Sequence, residues 1–397
     1  MKKVCAFVTG LAMLCCLVCM GAPHATAKDV ILVGAHLPLS GVSASVGRDQ
    51  KWAYERAVED VNASGGIFVK ELGTKLPVKL IVEDDQSNPA KAAAAVEKLI
   101  KGHKVDLLLS GQVGALGVLP GMVTAEKYQK YYHGTVIWAP MFLSQNFQWS
   151  TMYFVEIPDI TSMPFKAWNT LPESRRPQRI GLFVEDSVDG RRTAEGLTAA
   201  ASAHGYTVVD TQLLKVGAKD FRPQIHASKS KGVDAAICFA NVPETAVLLK
   251  QIREMNLGLK YFQGIKGAWS YEFWKAVGEQ GEGVLCDGFW SMDYPYPGAK
   301  ELGQRYFEDH GYYSVGVGMY YALCQTLWQA IEKAGTLDGA KVRQAVLDNT
   351  FQTVNGPVDY DERGVAFFPM ADFQWRDGKQ VLIYPSELTS TSLESLQ

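Results

Sequence analysis

The feature that most constrains this chain is the order of parts in the stretch following residue 29. Val30-Ile-Leu-Val-Gly-Ala-His36-Leu-Pro-Leu-Ser-Gly41 is an apolar run ending in a Gly/Ser turn, and Arg48 to Asn62 carries a helical stripe at Trp52, Ala53, Ala57, Val58 and Val61. Ser64-Gly65-Gly66 stops that helix, glycine being the residue that takes a left-handed stop at least cost. Val78-Lys-Leu-Ile-Val-Glu-Asp-Asp-Gln-Ser-Asn-Pro89 supplies a second strand, and Asn88-Pro89 starts a further helix to Lys101 with a capping side chain and a proline in the first turn. A run with no polar alternation is what a strand covered on both faces requires. Strand, turn, helix, strand, turn, helix in this order predicts α/β layers with mostly parallel sheets.

The same rhythm continues. Val105 to Leu109 is read as a strand, followed by the loop Ser110-Gly-Gln-Val-Gly-Ala-Leu-Gly117 and a helix through Lys130. Thr135 to Pro140 is read as the next strand, and Tyr153 to Ile157 as the strand that leaves the first unit. After a Pro/Arg-rich loop at Pro172 to Pro177, strands at Arg179–Val184, Tyr206–Thr211, Ala235–Ala240 and Lys260–Gln263 alternate with helices. Gly264 to Trp269 is read as a loop. Gly283 to Ser291 is a further strand, then three helical runs lead to a β-ribbon around Asp377-Gly378. The expected division is a first lobe of residues 28–154 plus 290–365 and a second of 155–289 plus 366–385. Residues 386–397, rich in Ser and Thr, are expected to form a loose tail.

Length and charge limit the functions available. A chain of 397 residues is too long for one compact domain and fits two. Its net charge of −3, or −5 without residues 1–27, lacks the basic footprint that nucleic-acid phosphates require. Met-Lys-Lys, an apolar run from Val4 to Ala22, and Ala25-Thr-Ala27 make a secretory signal cleaved near Ala27, which predicts a periplasmic location. Cys238, Cys286 and Cys324 remain after cleavage; three buried thiols are expected, with a Cys238–Cys286 bridge left open.

Elements of catalysis are not found. The histidines His36, His103, His133, His204, His226 and His310 have no metal-ligand spacing and read as surface or capping residues. No nucleophile elbow or phosphate loop is present, and Glu83-Asp84-Asp85 reads as capping acids at a strand end. No enzyme, metal or cofactor is expected.

Leu37-Pro-Leu-Ser-Gly41, Asp60-Val-Asn-Ala-Ser-Gly-Gly-Ile67 and Glu83-Asp-Asp-Gln-Ser-Asn-Pro89, in that order on an exported chain, resemble the branched-chain amino-acid binding proteins of bacterial ABC transporters. The resemblance runs from about Val30 to Tyr384. It implies two Rossmann-like lobes, a three-strand hinge, a small ligand held in the cleft, and a membrane permease as partner; a monomer is expected. The same fold serves in ligand-sensing receptors, which is the alternative role.

The pattern departs from that family where ligand is contacted. Members place hydroxyl side chains after the third and fourth strands; here the segments read Gln112-Val113-Gly114 and Trp138-Ala139-Pro-Met-Phe142. Members place an acid after the strand near residue 263, to bind the ligand's ammonium; this chain has Lys266. A cation there repels an α-ammonium and attracts a carboxylate, the interaction of two unit charges at ~4 Å being on the order of 4 kcal/mol at an effective dielectric of 20. The expected ligand is therefore a carboxylate without a free amine, with branched-chain amino acids as the alternative. Its body is expected against Trp138, Phe142 and Trp269. Gln112, Asp189 and Asn241 occupy strand-to-helix turns where family members place contacts.

Overall fold

The computed structural model describes residues 28–396 except 42, 113, 115, 116 and 369. The leader expected at residues 1–27 and the candidate contact Val113 lie outside the described residues. The first lobe begins β1 (Ile31–Leu37), α1 (Ala44–Ala63), the hairpin β2 (Ile67–Val69) and β3 (Thr74–Leu76), β4 (Val78–Asp84) and α2 (Pro89–Lys101). It continues with β5 (Leu107–Leu109), α3 (Val118–Lys127), β6 (Tyr132–Thr135), α4 (Ala139–Leu143) and β7 (Ser150–Phe154). The second comprises α5 (Ile157–Asn169), β8 (Ile180–Glu185), α6 (Val188–Ala203), β9 (Val208–Leu214), α7 (Arg222–Ser230) and β10 (Ala235–Ala240). It ends with α8 (Val242–Glu254), β11 (Tyr261–Lys266), α9 (Tyr271–Val277) and β12 (Leu285–Gly288). Then come α10 (Ala299–His310), α11 (Val317–Ala334), α12 (Gly339–Leu347), β13 (Phe351–Thr353), β14 (Gly356–Val358), β15 (Val365–Phe367), β16 (Ala371–Arg376) and β17 (Lys379–Tyr384).

Two sheets organise these elements. One has the order β15-β7-β6-β5-β1-β4, all parallel; the other runs β17-β16-β12-β11-β10-β8-β9, antiparallel only at β12, β16 and β17. The chain changes sheet after β7, after β12, and between β15 and β16. Those three connections join the lobes.

Local chemistry accounts for the boundaries. Asn88 accepts from the amides of Ala90 and Lys91, and Pro89 opens α2. Gly66 is required where α1 turns into the hairpin: φ is +85°, and a β-carbon would lie 2.3 Å from the Leu76 carbonyl oxygen. Among the described residues no helix is long and apolar enough to cross a membrane.

Several expectations are corrected. The fourth strand of the first lobe's parallel sheet in chain order, β6, is Tyr132–Thr135, earlier than the reading of Thr135–Pro140; Val136 at φ +54° ends it and Pro140 lies in the first turn of α4. Lys266 is the last residue of β11, not a loop residue. His36 and His133 are fully buried rather than surface groups, and burial drives His133 down to about 3, so it is neutral. The tail is not loose. Leu393 is buried, its carbonyl accepts from Arg175, and Glu394 pairs with Arg376. Cys238, Cys286 and Cys324 are free and buried.

Candidate functional site

Ligands of open parallel sheets bind beyond the carboxyl ends of the strands, so the site is built from those ends. In the first lobe Asp84, closing β4, accepts from the backbone of Leu39, Ser40 and Gln86 and from the Ser40 hydroxyl. Burial raises its carboxyl, but these donors outweigh it and hold it below the ordinary range. Beneath, His36 spans Asp85 (2.9 Å) and the Tyr132 hydroxyl (2.7 Å), which in turn accepts from the Gly111 amide at 2.9 Å. Gln50 donates to the Ser110 and Gly111 carbonyls from the other side. The loop after β5 is thus pinned, and Gly111 has no room for a side chain: a β-carbon would lie 2.3 Å from His36 Cε1.

Of the candidates in this lobe, Gln112 turns inward and donates to the Tyr320 hydroxyl of α11. Gly114 and Ala139 are partly exposed. Phe142 is 2% exposed and packs on Phe147, a core position rather than a wall of an opening. Trp138 is half-buried and meets Phe154 with ring centroids 5.2 Å apart.

That contact begins an aromatic chain across the lobe junction. Phe154 packs on Phe289 (5.7 Å), and Phe289 packs edge-on against Trp269 (4.8 Å). Phe368 touches both phenylalanines. Each phenylalanine lies at one of the three connections and is buried, whereas the two tryptophans at the ends are half-buried. The structure therefore brings Trp138 and Trp269 to opposite ends of one floor. Sequence reading missed Phe154, Phe289 and Phe368; their signal was position at a change of sheet, which becomes visible only with the topology.

In the second lobe, β8, β10 and β11 end side by side at Glu185, Ala240 and Lys266, and Asn241 follows β10 directly. Lys266 Nζ lies 3.0 Å from Glu185 Oε2, reaching across β10 with its ammonium 5.3 Å from the centre of the Phe239 ring. Asn241 contacts the same oxygen at 3.4 Å, and the Ser187 hydroxyl donates to Oε1 at 3.0 Å. The glutamate side chain is 8% exposed and the lysine 33%. Lys266 adopts φ +66° and is followed by Gly267, where a β-carbon would lie 2.0 Å from Thr245 Oγ1. Asp189 stands exposed in the first turn of α6, outside this cluster. Glu185, unremarked in the sequence, completes the group.

A cavity of about 330 Å³ lies elsewhere, between α1, α11 and the β2–β3 hairpin, and contains none of these residues. The strand-end group is the better candidate because it sets an accessible charge at the carboxyl ends of parallel strands, in the same segment of chain as Trp269.

A family described as periplasmic binding protein matches residues 30–380. A "Leu/Ile/Val-binding protein homolog 2" of Brucella abortus (strain 2308) is 25% identical over 374 residues, covering 92% of this chain and 95% of its own. The branched-chain amino-acid transporter substrate-binding protein LivJ of Streptococcus pneumoniae, in complex with isoleucine, superposes with a TM-score of 0.75 at 18% identity, covering 90% and 100% of the two chains. A solute-binding protein of an ABC transporter from Rhodopseudomonas palustris BisB5, in complex with 3,4-dihydroxybenzoic acid, gives 0.70 at 17% identity, covering 90% and 97%. The two solved structures share the fold, and the match over residues 30–380 assigns the lineage: the chain belongs to the periplasmic binding protein family.

Proposed function

We propose that this chain is the extracytoplasmic solute-binding subunit of an ABC importer. Its ligand is a small aromatic or aliphatic carboxylate without a free α-ammonium, and its partner is a membrane permease. The observation that carries this reading is the asymmetry of the Lys266–Glu185 pair. Glu185 is the buried member, and its oxygens are already engaged by Ser187, Asn241 and Lys266. Lys266 is the more exposed member, and an ammonium has three donors. A ligand arriving at the second lobe meets the cation with donors to spare, and the acid behind it holds that cation in place. Trp138 and Trp269 supply an apolar surface suited to an aromatic or branched body. Closure requires only that the ligand touch both lobes and so bind the closed state more tightly.

A second reading rests on Glu185 itself. If the pair opens, an acid and a base lie together and suit a zwitterion, in keeping with the amino-acid names of the relatives. Calorimetry against 3,4-dihydroxybenzoate, benzoate, 4-methyl-2-oxovalerate, leucine and isoleucine separates the two. Tight binding of an acid with none of leucine supports the first reading; the reverse order establishes the second.

A further inference from the structure

Behind Trp269 lies a group of side chains that ligand contact does not account for. Asp287 on β12 faces Asp372 on β16 directly across an antiparallel ladder, where opposed β-carbons stand about 4.5–5.5 Å apart. Both residues are fully buried. Asp287 Oδ1 accepts from Trp269 Nε1 at 2.7 Å, and Asp372 Oδ1 accepts from the Gln263 amide at 2.8 Å. Asp287 Oδ2, Asp372 Oδ2 and Gln263 Oε1 have no protein partner among the described residues.

Cations on the elements packed here are engaged elsewhere or exposed. Lys266 of β11 pairs with Glu185, Arg376 of β16 with Glu394, and Lys166 of α5 with Asp159; Lys379 of β17 is exposed. The remaining titratable groups on these elements are Tyr261 of β11, Cys286 of β12, whose thiol burial raises far above its usual range, and Tyr384 of β17, opposite Asp372. Two buried carboxylates side by side with no counter-charge cannot both ionise at ordinary cost.

We propose that Asp287 and Asp372 form an acid pair that keeps at least one proton at neutral pH and acts as the positioning device for Trp269, holding its ring against Phe289 at the hinge. A proton kept on the pair removes a buried charge and leaves Asp287 Oδ1 free to accept the indole N–H. Burial pushes Asp287 up to about 7, the Trp269 bond opposing it, and burial likewise raises Asp372 well above the ordinary carboxylate range. The native state therefore holds a proton that the unfolded chain releases. The stabilisation is complete below about pH 4 and is lost as pH rises through about 7. Ligand affinity depends on the pair only through Trp269, and that part rests on the reading given under Proposed function.

Infrared spectra of the whole chain, titrated from about pH 5 to about pH 9, test the pair without any ligand. The expected result is a protonated-carboxyl C=O band that persists at neutral pH and is lost or weakened in both Asp287→Asn and Asp372→Asn. Absence of the band at neutral pH, or undiminished intensity in either variant, overturns the proposal. Thermal unfolding is a second readout: the pH dependence between about 4 and about 7 should flatten in Asp287→Asn, and an unchanged slope counts against the pair. For the positioning role, Asp287→Leu should weaken 3,4-dihydroxybenzoate binding at least about fivefold, and Asp287→Asn, which keeps an acceptor for the indole, should restore most of it. Equal affinities in the two variants overturn that role. If the band behaves as expected and no acid binds, the pair stands and the ligand reading fails.

Discussion

The two walls of the lobe junction are built on different principles. In the first lobe the strand ends are tied from behind by a buried chain: Asp85, His36, Tyr132, then the Gly111 amide, with Gln50 opposite. None of these groups is exposed, so this wall is shaped before any ligand arrives. In the second lobe the strand ends carry an ion pair whose cation is a third exposed and whose acid is nearly buried. One lobe contributes form and the other contributes charge. Under the proposed function, the preorganised wall would lower the ordering cost of binding and the accessible charge would decide which ligands are rejected.

Reversing the charge is the most severe test of that division. Lys266→Glu sets a second carboxylate beside Glu185 and turns an attraction on the order of 4 kcal/mol into a repulsion. Binding of 3,4-dihydroxybenzoate is expected to vanish in calorimetry, and the melting temperature to fall as well, because Glu185 is left nearly buried beside a like charge. Retained affinity would make Lys266 a surface residue and leave the second lobe without a selective group.

Breaking the first wall should act on stability and leave selectivity alone. His36→Leu leaves the Asp85 and Tyr132 oxygens short of a buried partner, which costs about 3 kcal/mol. A fall in denaturant midpoint is expected, with the order of preference among acids unchanged. If preference changed while stability held, form and charge would not be divided between the lobes as argued.

Leu393→Ala probes an element that sequence reading misjudged. Removing a buried leucine costs about 2 kcal/mol at the low end of core truncations, and the loss should appear as a lower melting temperature with unaltered ligand affinity. No loss would return residues 386–396 to the status of a loose tail.

Legibility along the chain follows the range of the interactions involved. The limits of α2 coincide with the reading of Pro89 to Lys101 because Asn88, Pro89 and the helical stripe act within a few residues. β10 was readable as Ala235–Ala240 for the same reason, as a short apolar run bounded by turns. Lys266 was singled out by its place after a strand, but its partner Glu185 lies 81 residues away, two strands over in the sheet. No periodicity encodes that neighbour, because strand order is a property of the assembled layers. The burial of His36 was hidden likewise: its partners Asp85 and Tyr132 come from β-strand ends 49 and 96 residues distant. Leu393 was masked by the Ser/Thr residues around it, which describe solvent preference but not the groove beside Arg175 and Arg376.

The smallest expected effect marks the edge of the charged wall. Asp189 occupies the first turn of α6 and is exposed, while Ser187 supplies the cap by accepting from the Gly190 amide. A carboxylate at that position stabilises the helix by about 0.3–1 kcal/mol through the N-terminal dipole, less at physiological salt. Asp189→Ala should therefore lower the melting temperature only slightly and leave 3,4-dihydroxybenzoate affinity within about twofold. A loss of tenfold or more would mean that the ligand reaches the α6 terminus, extending the selective wall beyond Lys266 and Glu185. A gain of that size would mean instead that Asp189 repels the ligand's carboxylate from its exposed position, and that the charge of the second lobe acts over a longer range than direct contact.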